Sequence, residues 1–159
     1  MNLSDEVIIP IPRQKVWQGL NDPEILKQCI PGCEAIIKHS DTEMEARVTI
    51  KMGPVKATFK GAVTLSDLDP PNSYRISGEG KSMMGGATGG ANVKLEEVPE
   101  GTRLSYDVDA QVTGKIASLA QRFIEPTARQ LSSQFFETFA AVVSGAPKDE
   151  GKAAKKKKK

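Results

Sequence analysis

The chain has 159 residues and a mass of 17.1 kDa, which is enough for one domain with a substantial apolar core. The net charge of +2 is unevenly distributed: seven lysines and two acidic residues after Gly145 give that segment +5, and the rest is −3. The sequence contains no run of about 20 apolar residues, which excludes a transmembrane helix. Residues 1–145 are net acidic and carry no recognisable nucleic-acid-binding motif, which argues against a nucleic-acid-binding protein.

The N-terminal part predicts one strand followed by two short helices. Leu3–Ile9 is rich in β-forming residues and is followed by prolines that end the strand. A helix is expected over Pro12–Leu20, and a second over Pro23–Cys29 with Asp22 as its N-cap. The polar and acidic first residues predict that no signal peptide is present, so we expect a cytoplasmic protein with reduced cysteines.

The middle of the chain predicts an antiparallel sheet. Beginning at Glu34–Lys38, the segments alternate between apolar and polar residues, as in Met44–Met52, where every second residue is apolar. The same pattern recurs in Val55–Leu65, Ala91–Leu95 and Leu104–Val112, with short turns between the strands. Alternation of this kind is typical of an antiparallel sheet with one face against the core and one face in water.

A long C-terminal helix is expected over Gly114–Val143, because apolar residues recur there at steps of three and four and four of the five phenylalanines lie in it. Pro126 interrupts the pattern. It removes a backbone hydrogen bond and clashes with the preceding turn. The sequence therefore predicts either a kink near Arg122–Glu125 or two helices placed end to end.

This order of elements predicts an α+β helix-grip fold, in which a curved antiparallel sheet wraps around the long helix. The domain is expected over residues 1–144, with a disordered lysine-rich tail at 145–159. Many inward-facing residues are small, which favours an apolar cavity between sheet and helix; the alternative is that the helix aromatics fill it. The residues expected to line the cavity are Ile50, Phe59, Met83, Met84, Tyr106, Val108, Leu119 and Phe123.

The glycine-rich segment Gly85–Gly90 does not fit a phosphate loop, because it has no Gly-Lys-Ser/Thr ending and lies between strands. We expect a flexible hairpin, which together with Met83 and Met84 forms a candidate lid over the cavity mouth.

Catalytic and metal sites are not predicted. Cys29 and Cys33 are four residues apart, and His39 is the only histidine, so a metal site has too few ligands. Tyr106 points inward and can hydrogen-bond a ligand carbonyl, but no nucleophilic triad can be assembled. We therefore predict no catalytic residues, with a polyketide-cyclase-like or dehydratase-like enzyme that uses Tyr106 or His39 as the alternative.

Several short motifs in this order resemble the carbon monoxide dehydrogenase G-subunit family, within the START-like, polyketide-cyclase-like superfamily. Two features depart from the family pattern: Gly86 stands where members often have a bulky aromatic, and Pro126 interrupts the last helix. The motifs that carry the resemblance are Val16-Trp17, Asp22-Pro23, Pro31-Gly32-Cys33-Glu34, Gly53-Pro54-Val55, Phe59-Lys60-Gly61, Gly78-Glu79-Gly80, Gly89 with Ala91, Gly101-Thr102-x-Leu104-x-Tyr106, Gly114-Lys115-Ile116-Ala117 and Phe135-Phe136.

The resemblance implies a non-catalytic accessory protein of a molybdenum-containing carbon monoxide dehydrogenase or related hydroxylase. It implies that the dehydrogenase complex and the cytoplasmic membrane are partners, with the protein peripheral to the inner membrane face. It also implies a non-covalent apolar ligand, such as an isoprenoid quinone or a lipid. A maturation or docking factor without a ligand is the other alternative.

The lysine tail has three interpretations: contact with the membrane surface, contact with an acidic partner, or a solubilising segment. Each lysine near an anionic bilayer contributes about 1 kcal/mol, and the contribution falls with salt. The residues expected to make the membrane or partner contact are Lys155, Lys156, Lys157, Lys158 and Lys159.

Overall fold

A computed structural model describes residues 1–145, which form seven strands and four helices. The strands are β1 (Asn2–Ile9), β2 (Cys33–Lys38), β3 (Glu43–Met52), β4 (Val55–Asp69), β5 (Ser73–Ser82), β6 (Gly85–Val98) and β7 (Gly101–Thr113). The helices are α1 (Arg13–Leu20), α2 (Pro23–Cys29), α3 (Lys115–Leu119) and α4 (Gln121–Ser144). The expected lysine-rich tail lies outside the described residues.

The seven strands form a single antiparallel sheet in the order β1-β7-β6-β5-β4-β3-β2. Strands β2 to β7 follow one another through hairpins, whereas β1 pairs with the last strand, β7. The two helices after β1 therefore carry the chain from one edge of the sheet to the other. The predicted helix-grip fold, with short helices after the first strand and a long C-terminal helix, is confirmed.

Local sequence signals explain the two short helices. The Asp22 side chain accepts a hydrogen bond from the backbone N–H of Glu24 at 3.0 Å, which satisfies one of the free donors at the start of α2. Pro23 occupies the first helical position, where its missing N–H costs nothing. The N-cap Asp22 and the first helical position Pro23 of α2 therefore agree with the expectation from the sequence.

The C-terminal helical region is two helices, and the break lies at Ala120 rather than at Arg122–Glu125. Ala120 is fully buried, and it ends α3 and begins α4 with a non-helical backbone. The fully buried Ile116 fixes α3 against the strand turns, so α4 has to change direction to cross the sheet. Pro126 is accommodated inside α4, one turn after its start. Tertiary packing, rather than the proline, sets the break.

The expectation that Gly85–Gly90 forms a flexible hairpin is wrong. The expectation that this segment is part of a lid over the cavity mouth is therefore wrong as well. These residues are part of β6 and pair with β5 on one side and β7 on the other. The turn is instead Met83-Met84. At Gly89 an added Cβ would lie 2.6 Å from the backbone oxygen of Asp109, so this glycine allows two strands to approach closely.

The apolar core consists of two separate clusters. The first lies under α1, α2 and the C-terminal half of α4, and includes the fully buried Leu104 and Phe139. The second lies at the other end, where the β3–β4 and β5–β6 turns meet α3 and the start of α4. Its buried members are Met52, Val55, Ala57, Ile116 and Ala120, with Ile50, Phe59, Met84, Val112, Phe123 and Ile124 packed against them.

The turn before β2 provides a test of the fold. Gly32 and Gly145 both have a positive φ, +78° and +76°, but a Cβ at Gly32 would clash with the backbone oxygen of Thr49, whereas one at Gly145 meets nothing within 4 Å. We expect Gly32→Ala to lower the free energy of unfolding by about 3 kcal/mol and Gly145→Ala by about 1 kcal/mol. Urea denaturation measures both variants; equal losses would contradict the close approach of Gly32 to β3.

Candidate functional site

The inner face of the sheet, which faces α4, carries a patch of very small residues. The strand pairing places seven glycines and alanines in two adjacent rows across β3 to β7, and none has a side chain larger than a methyl group. Larger residues border the patch, with Phe59 on one side and Leu65 and Val108 on the other. We call these residues the small-residue patch: Ala46, Gly61, Gly80 and Ala87 in one row, and Gly78, Gly89 and Ala110 in the other.

The helix does not pack directly onto the small-residue patch. All seven residues are only half-buried, although they point towards α4. A Cβ built at Gly78 would have only two atoms within 4 Å, the Ala62 oxygen at 3.4 Å and a Val63 methyl at 3.8 Å, both from β4. No atom of α4 lies within 4 Å of that Cβ, and that the patch borders a ligand cavity stays a prediction.

An opening lies at the edge of the sheet, between β3 and α4. A cavity of about 470 Å³ lies between the end of β3 and the first half of α4. Ile50 and Phe123 line it together with Pro126 and Leu131, while Lys51 and Gln130 contribute polar groups. Strand β2 stops pairing with β3 before this point, at Cys33–Val48. The edge of the sheet is consequently open towards α4 here.

Six of the eight expected cavity residues face the inner side. Ile50, Phe59, Met84 and Phe123 pack around the second core cluster, and Val108 lies next to the patch on β7. Tyr106, the sixth, stacks on Phe136 of α4 with ring centroids 5.2 Å apart. That these residues contact a ligand stays a prediction.

The expectation that Met83 and Leu119 line the cavity is wrong. Met83 is fully exposed, with 103% of its reference surface accessible, and Leu119 is 56% exposed. Met83 lies at the tip of a two-residue turn, and Leu119 is the last residue of α3, next to the break at Ala120. Sequence spacing alone did not distinguish these outward positions from their inward neighbours Met84 and Ala120.

A polar group is present among the apolar walls. Burial raises the pKa of the Tyr106 phenol, and a hydrogen bond with Ser132 of α4 partly offsets that rise. The Asp5 carboxylate on the neighbouring strand also raises this pKa, and the Arg129 cation lowers it. Tyr106 therefore stays protonated near neutral pH and remains able to donate a hydrogen bond inside the site.

His39, the other residue considered for catalysis, lies away from the site, and so does the carboxylate of Asp107. His39 follows β2 in a turn, where it is 49% exposed and lies 3.3 Å from Glu45. Asp107 faces the outer side of the sheet, where it accepts a hydrogen bond from Asn92 at 3.3 Å. Within residues 1–145, no group of three or more histidine, cysteine or acidic side chains is arranged to hold a metal ion.

A larger depression, of about 660 Å³, lies on the outer face of the sheet. It is lined by polar and charged side chains, among them Glu6, Arg75, Lys94 and Asp107. Tyr74, Val93 and Tyr106 also line it, but most of its lining residues are polar or charged, so we assign the candidate site to the inner face.

On the helix side of the site, the sequence prediction included Phe123 but missed three residues that follow it on α4. Thr127, Leu131 and Ser132 face the sheet from the middle of α4, between Phe123 and Phe135. They lie at helical spacing from these two phenylalanines, which was the available signal. Within the described part of the chain, no helix has the length and apolar character needed to cross a membrane.

Comparison with known proteins is consistent with this architecture. The chain is similar to a conserved protein of known structure from Geobacillus kaustophilus, with 28% identity and a TM-score of 0.81 over 91% of this chain and 94% of that one. The aromatase/cyclase Zhui from a Streptomyces species is similar at 13% identity and a TM-score of 0.66, covering 91% of this chain and 93% of its own. Ara h 8.0201 is similar at 16% identity and a TM-score of 0.66, covering 91% and 98%.

The last two identities are too low to show more than a shared fold. A search of curated proteins finds no match. A family model described as the G subunit of carbon monoxide dehydrogenase (CoxG) matches residues 6–144, which is nearly the whole described structure. The chain therefore belongs to the CoxG family, and it shares its helix-grip fold with the aromatase/cyclase and with Ara h 8.0201.

Proposed function

We propose that this protein is a non-catalytic accessory protein that binds an apolar, quinone-like or lipid-like molecule between the sheet and α4. In this proposal it links a molybdenum-containing carbon monoxide dehydrogenase, or a related hydroxylase, to the inner face of the cytoplasmic membrane. The family name supports the connection to the dehydrogenase.

The small-residue patch is the observation that carries the proposal. A sheet that packs tightly on a helix needs large side chains to fill the space between them, and seven neighbouring positions here have none. A void of that kind without contents costs stability, so it is retained where a ligand occupies it. The walls are apolar, with Phe59, Val108, Phe123 and Phe135, which fits a ring or an isoprenoid chain.

The polar content of the site fits binding better than catalysis. Tyr106 lies two inward positions from Ala110 along β7 and forms a polar pair with Ser132, and neither is a strong base near neutral pH. A phenol that donates one hydrogen bond is suited to orient a quinone carbonyl in an apolar pocket.

A cyclase-like or dehydratase-like enzyme is the second candidate. The observation in its favour is the same Tyr106–Ser132 pair, placed in a fold that an aromatase/cyclase shares. This candidate requires Tyr106 to act on the substrate as an acid. It gives no role to His39, which lies in an exposed turn.

Native mass spectrometry of the full-length protein, gently purified and then incubated with a short-chain isoprenoid quinone, tests the main proposal. We expect a complex of one quinone per chain. A protein that stays empty under these conditions would favour the ligand-free docking factor. Binding of the dehydrogenase is then measured separately, by co-purification.

Filling the small-residue patch should abolish binding without unfolding the protein. Gly78→Leu places a large side chain on the inner face, where an added Cβ meets only ordinary contacts. We expect at least a tenfold loss of quinone affinity by calorimetry, with little change in melting temperature. The matched control is Thr88→Leu, which adds bulk on the exposed outer face of β6 and should leave affinity unchanged. Equal affinity of the two variants would place the ligand elsewhere.

The phenol of Tyr106 separates the two candidates. Tyr106→Phe keeps the stacking on Phe136 and removes one hydrogen bond, worth about 1 kcal/mol. For a binding protein we therefore expect quinone affinity to fall by less than about tenfold. Ser105→Ala, which removes a hydroxyl on the other face of β7, serves as the control. Complete loss of turnover of an identified polyketide substrate in Tyr106→Phe would instead support the enzyme.

The lysine tail is expected to strengthen contact with anionic membranes. Replacing Lys155–Lys159 by glutamine keeps the chain length and removes five charges. We expect at least tenfold weaker binding to vesicles that contain phosphatidylglycerol, with a smaller difference at high salt, because each lysine contributes about 1 kcal/mol at low salt. Sedimentation with vesicles measures this. Unchanged binding would remove the tail from the mechanism.

A further inference from the structure

The charges of the folded domain are separated between its two ends. The hairpins alternate, so the β3–β4 and β5–β6 turns and α3 lie at one end of the sheet, and the other strand turns lie at the opposite end. We call the segments 51–56, 81–84 and 114–122 the basic end, and 39–43, 67–72 and 96–100 the acidic end. The basic end has five cations and no acidic residue; the acidic end has seven acidic residues and no lysine or arginine.

The segments of the basic end form one continuous surface. Met52 and Val55 of the first turn, Met84 of the second and Ile116 of α3 pack together in the second core cluster. The backbone N–H of Ile116 donates to the Met84 oxygen at 2.7 Å, which fixes α3 against the β5–β6 turn. The cations project from this cluster into solvent, and none takes part in an ion pair among the described residues. They are Lys51, Lys56, Lys81, Lys115 and Arg122, and all are exposed.

Two large apolar side chains also project from the basic end. Met83, at the tip of the β5–β6 turn, is fully exposed, and Leu119 of α3 is 56% exposed. Exposed apolar side chains on the same end as exposed cations match the chemistry of an anionic bilayer interface, where the apolar groups enter the acyl boundary and the cations bind headgroups. Leu68, at the acidic end, is 39% exposed and has no cation in its own segment.

The opening between β3 and α4 lies beside the same surface. Lys51 and Gly53 of the basic end line the cavity between β3 and α4, together with Phe123. A Cβ at Gly53 would lie 2.6 Å from the Phe123 ring, so the turn and the aromatic side chain are in close contact at the mouth. An apolar molecule that leaves a membrane through this mouth does not have to cross bulk water.

We propose that the basic end is the membrane-docking surface of the domain and that the apolar ligand enters through the adjacent opening between β3 and α4. This inference rests on the proposed function, because it assumes a ligand that resides in the membrane. It is independent of the lysine tail. The described chain reaches Gly145 at the C-terminal end of α4, which packs with the first core cluster, away from the basic end.

Charge reversal tests the docking surface in the full-length chain. The test variant is Lys81→Glu with Lys115→Glu, and the matched control is Lys15→Glu with Lys94→Glu, which changes net charge equally at exposed sites outside the basic end. A second comparison tests the exposed apolar side chains. The double variant Met83→Ser with Leu119→Ser is compared with its control, Leu68→Ser. Binding is measured by sedimentation with vesicles of phosphatidylglycerol and phosphatidylcholine in equal parts, and with phosphatidylcholine alone.

We expect the test charge reversal to weaken binding to the phosphatidylglycerol vesicles about tenfold relative to its control. The Met83 and Leu119 pair should weaken binding severalfold, and Leu68→Ser should not. Equal binding of the test and control variants to these vesicles would overturn the proposed docking surface. Binding that does not depend on phosphatidylglycerol would overturn it as well.

Quinone affinity in detergent solution, measured on the same variants, separates this inference from the proposed function. It should be unchanged in all of them, because none of the substituted residues lines the site. The route of entry is supported if the wild-type protein binds quinone in detergent and the basic-end variants lose quinone uptake from phosphatidylglycerol vesicles. If the wild-type protein binds no quinone in detergent, the proposed function fails and the proposed entry route fails with it, whereas the vesicle-binding result still decides the docking surface.

Discussion

The small-residue patch is the constraint on which the rest of this structure depends. Where neighbouring strands carry only glycine and alanine, the helix has no side chains to pack against, and dispersion contacts are lost over that area. The apolar core is therefore divided into a cluster under α1, α2 and the end of α4, and a smaller one around α3. The space between sheet and helix lies between these two supports. The two clusters support the fold at its two ends, and the middle is where we propose that a ligand binds.

The division of the core also explains why the C-terminal region is two helices. Ile116 anchors α3 to the turns at the basic end, and Phe139 anchors α4 in the first cluster, and both are fully buried. The helical backbone is interrupted at Ala120, between these two anchors. In this arrangement Phe123 lies at the mouth between β3 and α4. The anchoring of α3 thus sets both the shape of the opening and the surface around it.

Much of the fold was predictable because its signals are local. Alternation identified the strands, and Asp22 with Pro23 identified α2. The order of elements gave the helix-grip fold. The exceptions are instructive: Gly85–Gly90 has the composition of a turn, but it is a strand because β5 and β7 pair with it on both sides. Tertiary pairing overrides composition at that point, and no local pattern reports it.

The sequence by itself determined which residues point inwards along each strand, since side-chain direction alternates with a period of two. It also identified the family, through motifs spread along the domain. Only the tertiary structure decided which residues meet: that Ser132 reaches Tyr106, that Met83 and Leu119 face solvent, and that separate lysines share one end. The physical reason is that such contacts depend on strand register and on how each helix is anchored. These quantities are set by packing between residues far apart in the chain.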